Sequence, residues 1–448
     1  AWAAGEKAHD KDARILVLVQ LSGGNDGLNT VVPFTDDAYR KARPGIGLGD
    51  GAVLKLDDHL GLHPQMTGLK SLYDDGQLAV VQGVGYPNPD RSHFRSMDIW
   101  HSARPEDEEF DGDGWLGRAL DHTHRQHAGS VPALAVGTNR LPRALLGHKV
   151  NVPMLRDIAA FKWNPGAGPE ADRKRRGELV KRFAAERAAE GSDLDFLRRT
   201  TATAASTAKR LREVSTGYQP ATDYPGTGLG TKLKTVAQLI AADLGTRIFF
   251  VSLDGFDTHS QQDGAHAALV GELSAAISAF HADLAGHKLE DRVMLATYSE
   301  FGRRVKENGS LGTDHGTASQ MFVVTPGGEG KAGLIGKHPS LTELDENDDM
   351  LFHTDFRSVY ATLLEDWLGF PSKPVLGDAF PRLDLTVVRK LSWSIVEHRQ
   401  GRRSFQRCRK LLRAGTGKSR KRVHRERSGS RLIRPSRTKG RQSQVASR

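Results

Sequence analysis

The chain has 448 residues, 38% of them hydrophobic, enough to build one large core. Its net charge of +10 is uneven: residues 389–448 hold 21 Lys and Arg against two Asp and Glu, so residues 1–388 are net −9 and the basic reading, a nucleic-acid or acidic-membrane partner, belongs to the tail alone. The single cysteine, Cys408, is also in that tail, which excludes disulfides, thiolate nucleophiles and thiolate metal sites from the rest, and no apolar run reaches the roughly 18 residues of a membrane span.

The chain opens AWAAGEKAHD without an initiator Met. Ala-Trp-Ala fits the small-residue end of a removed export signal, so an exported, periplasmic or extracellular protein is expected; a fragment would begin in the same way. Arg14 to Leu21 (RILVLVQL) reads as a strand covered on both faces, running into Ser22-Gly23-Gly24-Asn25-Asp26-Gly27. That loop either cradles an anion and offers Asp26 as a ligand, or is a tight turn capped by Asp26. A helix over 64–73 and a strand over 78–81 continue a βαβ rhythm. The next loop carries Asp90-Arg91-Ser92-His93-Phe94-Arg95 and leads into a helix around 97–103. Asp90 or Ser92 is an N-cap there; alternatively a hydroxyl at a helix N-terminus beside His93, Arg91 and Arg95 is placed to attack an anionic ester, with the arginines carrying the charge.

A strand is predicted over 133–136, and residues 162–219 read as a charged helical insertion. A helix follows over 232–244. The strand over 247–253 ends in Asp254-Gly255-Phe256-Asp257-Thr258-His259, and after another helix the strand 293–297 ends in Ser299-Glu300. About a dozen residues on, Asp314-His315 precedes the strand-like 321–325. Parallel strands with helical crossovers put such ends on one rim, so Asp26, Asp257, His259 and Glu300 can converge with Asp314 and His315 on a divalent metal. Any metal in this part must be held by oxygen and imidazole: zinc suits the imidazoles, calcium or magnesium the carboxylates. Asp355 reads as the first residue of a helix over 359–367, with His353 an outer candidate. After Leu385 the Arg/Ser/Lys-rich tail, 386–448, cannot bury enough surface to order itself. KSRKRVHRER can bind nucleic acid or anionic lipid, but a tail without a role or an out-of-frame gene end explains it more simply.

The stretches LVQLSGGNDGLNTVVP, GLHP, VVQGVGYPNPDRSHFRSMDIWHSA, GFDTH, YSEFGRRVKENGSLGTDHGTA and DFRSVYATLLEDWLGF are similar, in consistent order, to the DUF1501 family, related to alkaline phosphatases and sulfatases. The resemblance spans about 14–385. It implies an α/β domain, a large mostly parallel sheet sandwiched by helices, and a nucleophile with one or two divalent metals. Asp26 then matches the carboxylate after the first strand and the nucleophile slot falls on Ser92 or His93. Asp257 and His259 match a metal pair at shorter spacing than usual. Glu300 replaces a metal-binding Asp, Phe301 replaces its histidine neighbour, and His315 matches a later, isolated histidine. The expectation is a metal-dependent hydrolase of phosphate or sulfate esters, small-molecule or glycan, with Ser92 attacking. The alternative is a binding protein for anionic glycans or envelope components on the same scaffold, which metal content would separate from the enzyme.

Overall fold

The computed structural model describes residues 13–107, 112–123, 131–156, 167–186, 217–326 and 331–385, with isolated residues between 188 and 201. The basic tail and most of 187–216 lie outside the described residues. Of the expected insertion, helix α4 (Glu170–Ala185) is described; it has no buried residue, as its charge on every face requires. No helix among the described residues is long and apolar enough to cross a membrane.

Among the described residues nine strands form the main sheet: β1 (Ile15–Ser22), β2 (Leu78–Gly85), β3 (Ala133–Val136), β4 (Met154–Leu155), β5 (Ile248–Asp254), β6 (Val293–Tyr298), β7 (Ser319–Val324), β8 (Gly333–Ile335) and β9 (Thr354–Asp355). Their order is β8-β2-β7-β6-β1-β5-β3-β4, with β9 also paired to β2. β1 lies at the centre, parallel to β5 in the register Leu18 to Phe250 and to β6 in the register Leu18 to Ala296. The sheet is mostly parallel, as expected, with one departure: β7 runs antiparallel to both β2 and β6. Every other strand shares one direction.

Alternation along β1 sorts the core into two layers. Ile15, Val17, Val19 and Leu21 pack with Leu69 and Leu72 of α1 (Thr67–Asp74), with α5 (Gly228–Ala241) and with α6 (Gln262–Gly286). Leu16 and Leu18 point the other way, into a layer built with α2 (His93–Ser102), α3 (Trp115–Thr123) and α7 (Phe356–Thr362). A strand buried on both faces needs an unbroken apolar run, and RILVLVQL supplies it. Asp355 caps α7 by accepting from the Arg357 N–H. His353 donates its backbone N–H to Gly83.

Candidate metal centre

The strand directions decide which loops meet. β1, β2, β5 and β6 all end at the rim where antiparallel β7 begins. The loop after β1 turns through Gly23 and Gly24, at φ +118° and +77°. A side chain on Gly23 would meet the Asp257 backbone nitrogen at 2.5 Å, and one on Gly24 would meet the Phe301 ring at 2.3 Å. Glycine is required at both positions for closeness as well as conformation.

Arg303, only 1% exposed, ties these loops together. Its Nε donates to the Gly24 carbonyl at 2.7 Å and its Nη1 to Thr313 at 2.8 Å. Its Nη2 reaches the carbonyls of Gly23 and Phe256 and, at 2.7 Å, Asp257 Oδ1. A buried guanidinium must have its donors satisfied, so this one side chain fixes the spacing of the loops after β1, β5 and β6.

Asp257 Oδ1 is where three imidazoles converge. His259 Nε2 lies 3.0 Å from it, His315 Nε2 3.2 Å and His93 Nε2 3.4 Å. Each ring's other nitrogen is held from behind. His93 Nδ1 is 3.0 Å from Glu300 Oε1, His259 Nδ1 3.1 Å from Asp314 Oδ1, and His315 Nδ1 2.7 Å from the Arg91 carbonyl. Carboxylates and carbonyls only accept, so each outer partner favours a proton on Nδ1; a neutral ring held in that way turns its Nε2 lone pair toward Asp257 Oδ1, a repulsive approach that a cation between them relieves. The His259 and His315 Nε2 atoms are 2.9 Å apart, a repulsive contact of two lone pairs unless a proton or a cation lies between them. His93 Nε2 is buried without a hydrogen-bond partner.

The charges agree with this geometry. Burial pushes the Asp257 carboxyl up, but the lowering interactions, led by the hydrogen bond from Arg303, outweigh it and hold the pKa at about 2, so the group is ionised. The hydrogen bond to Glu300 raises the His93 pKa, whereas burial lowers that of His315. His93, Asp257 and His315 place ligand atoms within 4.8 Å of one another, and with His259 beside Asp257 and His315 they offer imidazole and carboxylate donors, each ring oriented by an outer acceptor, suited to a first-row divalent ion such as zinc. The donors favour it over calcium or magnesium, which take oxygen ligands.

The structure thus brings together His93, Asp257, His259 and His315 and gives the other candidates different work. Glu300, expected as a ligand, is 1% exposed and faces away from the convergence point: its Oε1 accepts from His93 and from the Gly23 N–H at 2.8 Å. Asp314 likewise supports His259 and accepts from Asn308 Nδ2 at 3.1 Å. Asp26 is not part of the cluster. It is completely buried, caps the turn Gly27–Thr30, forms a 2.6 Å ion pair with Arg43 and accepts from Gln262. The capping reading of that loop is the one realised.

Ser92 stands at the N-cap of α2, exposed, its side chain making no cap hydrogen bond. Arg91 pairs with Asp349 at 3.1 Å, and Arg95 donates to the carbonyls of Pro105 and Asp107. Neither guanidinium is engaged with the cluster; Arg91 meets it only through its backbone carbonyl. Phe301 packs as an apolar wall, its ring 4.6 Å from His315 and 4.9 Å from His93. Two structural arginines escaped sequence reasoning, Arg43 and Arg303. Only the pairing of Arg303 and Arg304 after a glycine-containing turn hinted at the second.

A family model described as "Protein of unknown function (DUF1501)" matches residues 13–366. No curated protein sequence matches the chain. Among solved structures, the lipoteichoic acid synthase LtaP from Listeria monocytogenes is similar at 10% identity and a TM-score of 0.33, covering 72% of this chain and 67% of that one. The C-terminal periplasmic domain of EcEptC from Escherichia coli, a complex with Zn, is similar at 10% identity and 0.32, covering 70% and 73%. Alkaline phosphatase from the Antarctic bacterium TAB5 is similar at 12% identity and 0.28, covering 72% and 94%.

Proposed function

The chain belongs to the DUF1501 family, and from that premise we propose that it is a metal-dependent hydrolase of phosphate or sulfate esters. One observation carries the reading: three imidazoles, each with Nδ1 within hydrogen-bond distance of an outer acceptor, bring Nε2 to 3.0–3.4 Å from one ionised carboxylate oxygen. His93, Asp257, His259 and His315 would hold the ion. A bound divalent cation would supply Lewis acidity toward an ester oxygen and lower the pKa of an attacking hydroxyl or water.

The chain's own residues supply the rest. Glu300, Asp314 and the Arg91 carbonyl keep the imidazole protons on Nδ1, so the rings need no reorganisation to bind. Arg303 holds Asp257 ionised and in place. Ser92 opens α2 directly before His93, and the positive end of that 10-residue helix favours an anionic group beside its hydroxyl. Phe301 excludes water from one side of the rings.

The test combines metal analysis with turnover of aryl phosphates and aryl sulfates. About one tightly held zinc per chain is expected, lost in His315→Ala. Ser92→Ala should keep the metal and lose turnover. A chain that holds no divalent ion would refute the reading. The second reading, a binding protein without turnover, is favoured by the exposed Ser92 side chain, whose hydroxyl makes no hydrogen bond to a base among the described residues. Tight metal binding with no activity on either ester class, and no effect of Ser92→Ala, selects it.

A further inference from the structure

Gln262, the first residue of α6, is 0% exposed and hydrogen-bonds to three segments of the rim. Its Nε2 donates to Asp26 Oδ2 in the loop after β1. Its Oε1 accepts from Thr258 Oγ1 at 3.1 Å, in the loop after β5, and from Thr313 Oγ1 at 2.6 Å, in the segment leading to β7. The amide stands one way round only. Burial raises the Asp26 pKa, but Arg43 outweighs burial and the value lies below 3.8, so the carboxylate accepts and cannot donate. Nε2 must face it, which leaves Oε1 for the two hydroxyls.

The two threonines are interleaved with the metal donors. Thr258 stands between Asp257 and His259, and Thr313 directly precedes Asp314-His315. Both threonines are buried, whereas the side chains of Asp257, His259 and Asp314 are half-exposed. Each loop thus turns a hydroxyl inward and its donors outward. An sp² oxygen offers its lone pairs in the plane of the amide, so two hydroxyls that share it are held at a fixed separation, and their neighbours on the rim with them. The backbone closes the same contact. The Thr313 N–H donates to the Thr258 carbonyl at 3.2 Å and the Gln262 N–H to the Leu311 carbonyl at 2.9 Å. Gln261, just before, holds a left-handed φ of +45°, which residues other than glycine seldom adopt, and its N–H donates to Ser310 at 3.0 Å. The spacing of these loops matters to a metal. The Nε2 atoms of His259 and His315 are 2.9 Å apart, close to the roughly 3.3 Å between two ligands of a tetrahedral zinc bound at about 2.0–2.1 Å.

We propose, building on the metal-dependent reading above, that Gln262 is a positioning residue of the metal centre. Its amide sets the separation of the loops that carry Asp257, His259 and His315, and through that separation the affinity and coordination geometry of the bound ion. The Thr258 and Thr313 hydroxyls are the links to those loops. Asp26 only selects which way round the amide stands, and an asparagine oxygen in its place would select it equally.

Three substitutions in the full chain test it. Gln262→Met keeps the length of the side chain and removes both polar ends; Thr313→Val keeps the shape and removes the hydroxyl; Thr313→Ser returns the hydroxyl. Zinc affinity is read by chelator competition, per folded molecule, with near-UV circular dichroism giving the folded fraction. It should fall about tenfold in Gln262→Met and about three- to tenfold in Thr313→Val, the low end of the loss when a partner outside the ligands is removed. The double variant should bind as Gln262→Met alone does, because the hydroxyl acts through the amide. Thr313→Ser should keep the wild-type affinity. The visible spectrum of cobalt(II) bound in place of zinc reports coordination geometry, which a purely structural amide would leave alone. It should change in Gln262→Met and Thr313→Val and not in Thr313→Ser. Wild-type affinity and cobalt spectrum in both Gln262→Met and Thr313→Val, whatever stability they lose, overturn the proposal. So do losses that multiply in the double variant, or a Thr313→Ser as weak as Thr313→Val. If Gln262→Met fails to fold, the two Thr313 variants carry the test. A wild-type chain that holds no divalent ion sinks the metal reading and this inference together. A zinc-binding wild type with unaltered variants sinks this inference alone.

Discussion

Replacing Glu300 by Gln separates a ligand from a residue that orients one. The substitution preserves shape and can still accept from the Gly23 N–H, now 2.8 Å from Oε1, and from His93 Nδ1 at 3.0 Å. It removes the charge. A hydrogen bond to a charged group stabilises by about 1.5–3 kcal/mol against about 0.5–1.5 for a neutral one, a difference of about 1.3 kcal/mol between the midpoints. Since the bond to Glu300 is the largest cause of the raised His93 pKa, that pKa should fall. NMR titration of the His93 ring measures it directly. The less basic and less firmly held imidazole should weaken zinc binding by about 10–100-fold, the usual effect of losing an outer partner. Competition against a chelator of known affinity reads the second number. Unchanged affinity with an unmoved His93 pKa refutes the orienting role. Loss as complete as in His315→Ala would instead make Glu300 a ligand.

Asp26→Asn should leave Arg43 buried without its counter-ion, both side chains being 0% exposed, and destabilise by about 3–5 kcal/mol in chemical denaturation; per folded molecule, zinc affinity should not change. Burial alone would raise the Asp26 pKa, but Arg43 outweighs it and the folded value lies below 3.8. Its contribution is therefore present above that pH and lost as pH falls through the lower folded value, so the acid-unfolding limb should move to higher pH in the variant. Asp349 has the opposite sign. Its folded pKa of about 6 exceeds the exposed value of 3.8, so stability falls as pH rises through that window, and Asp349→Asn should raise Tm at pH 8 more than at pH 5; an equal shift at both would contradict the burial argument. Gly24→Ala should push the Phe301 ring off His93 and His315, because the new methyl would lie 2.3 Å from it at a φ of +77°. A loss of more than about 1 kcal/mol, together with weakened zinc binding, is expected, and wild-type values for both would show that the loop yields freely.

Pattern alone was enough for the scaffold. Buried strands show as apolar runs such as RILVLVQL and RIFFVSL, and their polar endings point to one rim once the strands are parallel. Asp257 and His259 were legible on that basis as rim residues; His315 stood out only as half of an Asp-His pair before a further strand-like run. His93 was visible as well, but as an alternative to Ser92 in the nucleophile slot, since helix spacing does not say whether a ring at a helix start faces a carboxylate 164 residues ahead at Asp257.

Which way β7 runs, and which acid faces the centre, were decided only by the tertiary structure. His315 reaches the rim because β7 starts there, a consequence of antiparallel pairing with β2 and β6 that no local signal encodes. Asp26, Glu300 and Asp314 are all carboxylates at strand or loop ends, alike in a sequence. Arg43 takes the first, His93 the second and His259 the third. Chain pattern locates a carboxylate on a rim; the partner that folding brings within 3 Å determines whether its oxygen is left for a metal, an imidazole or an arginine.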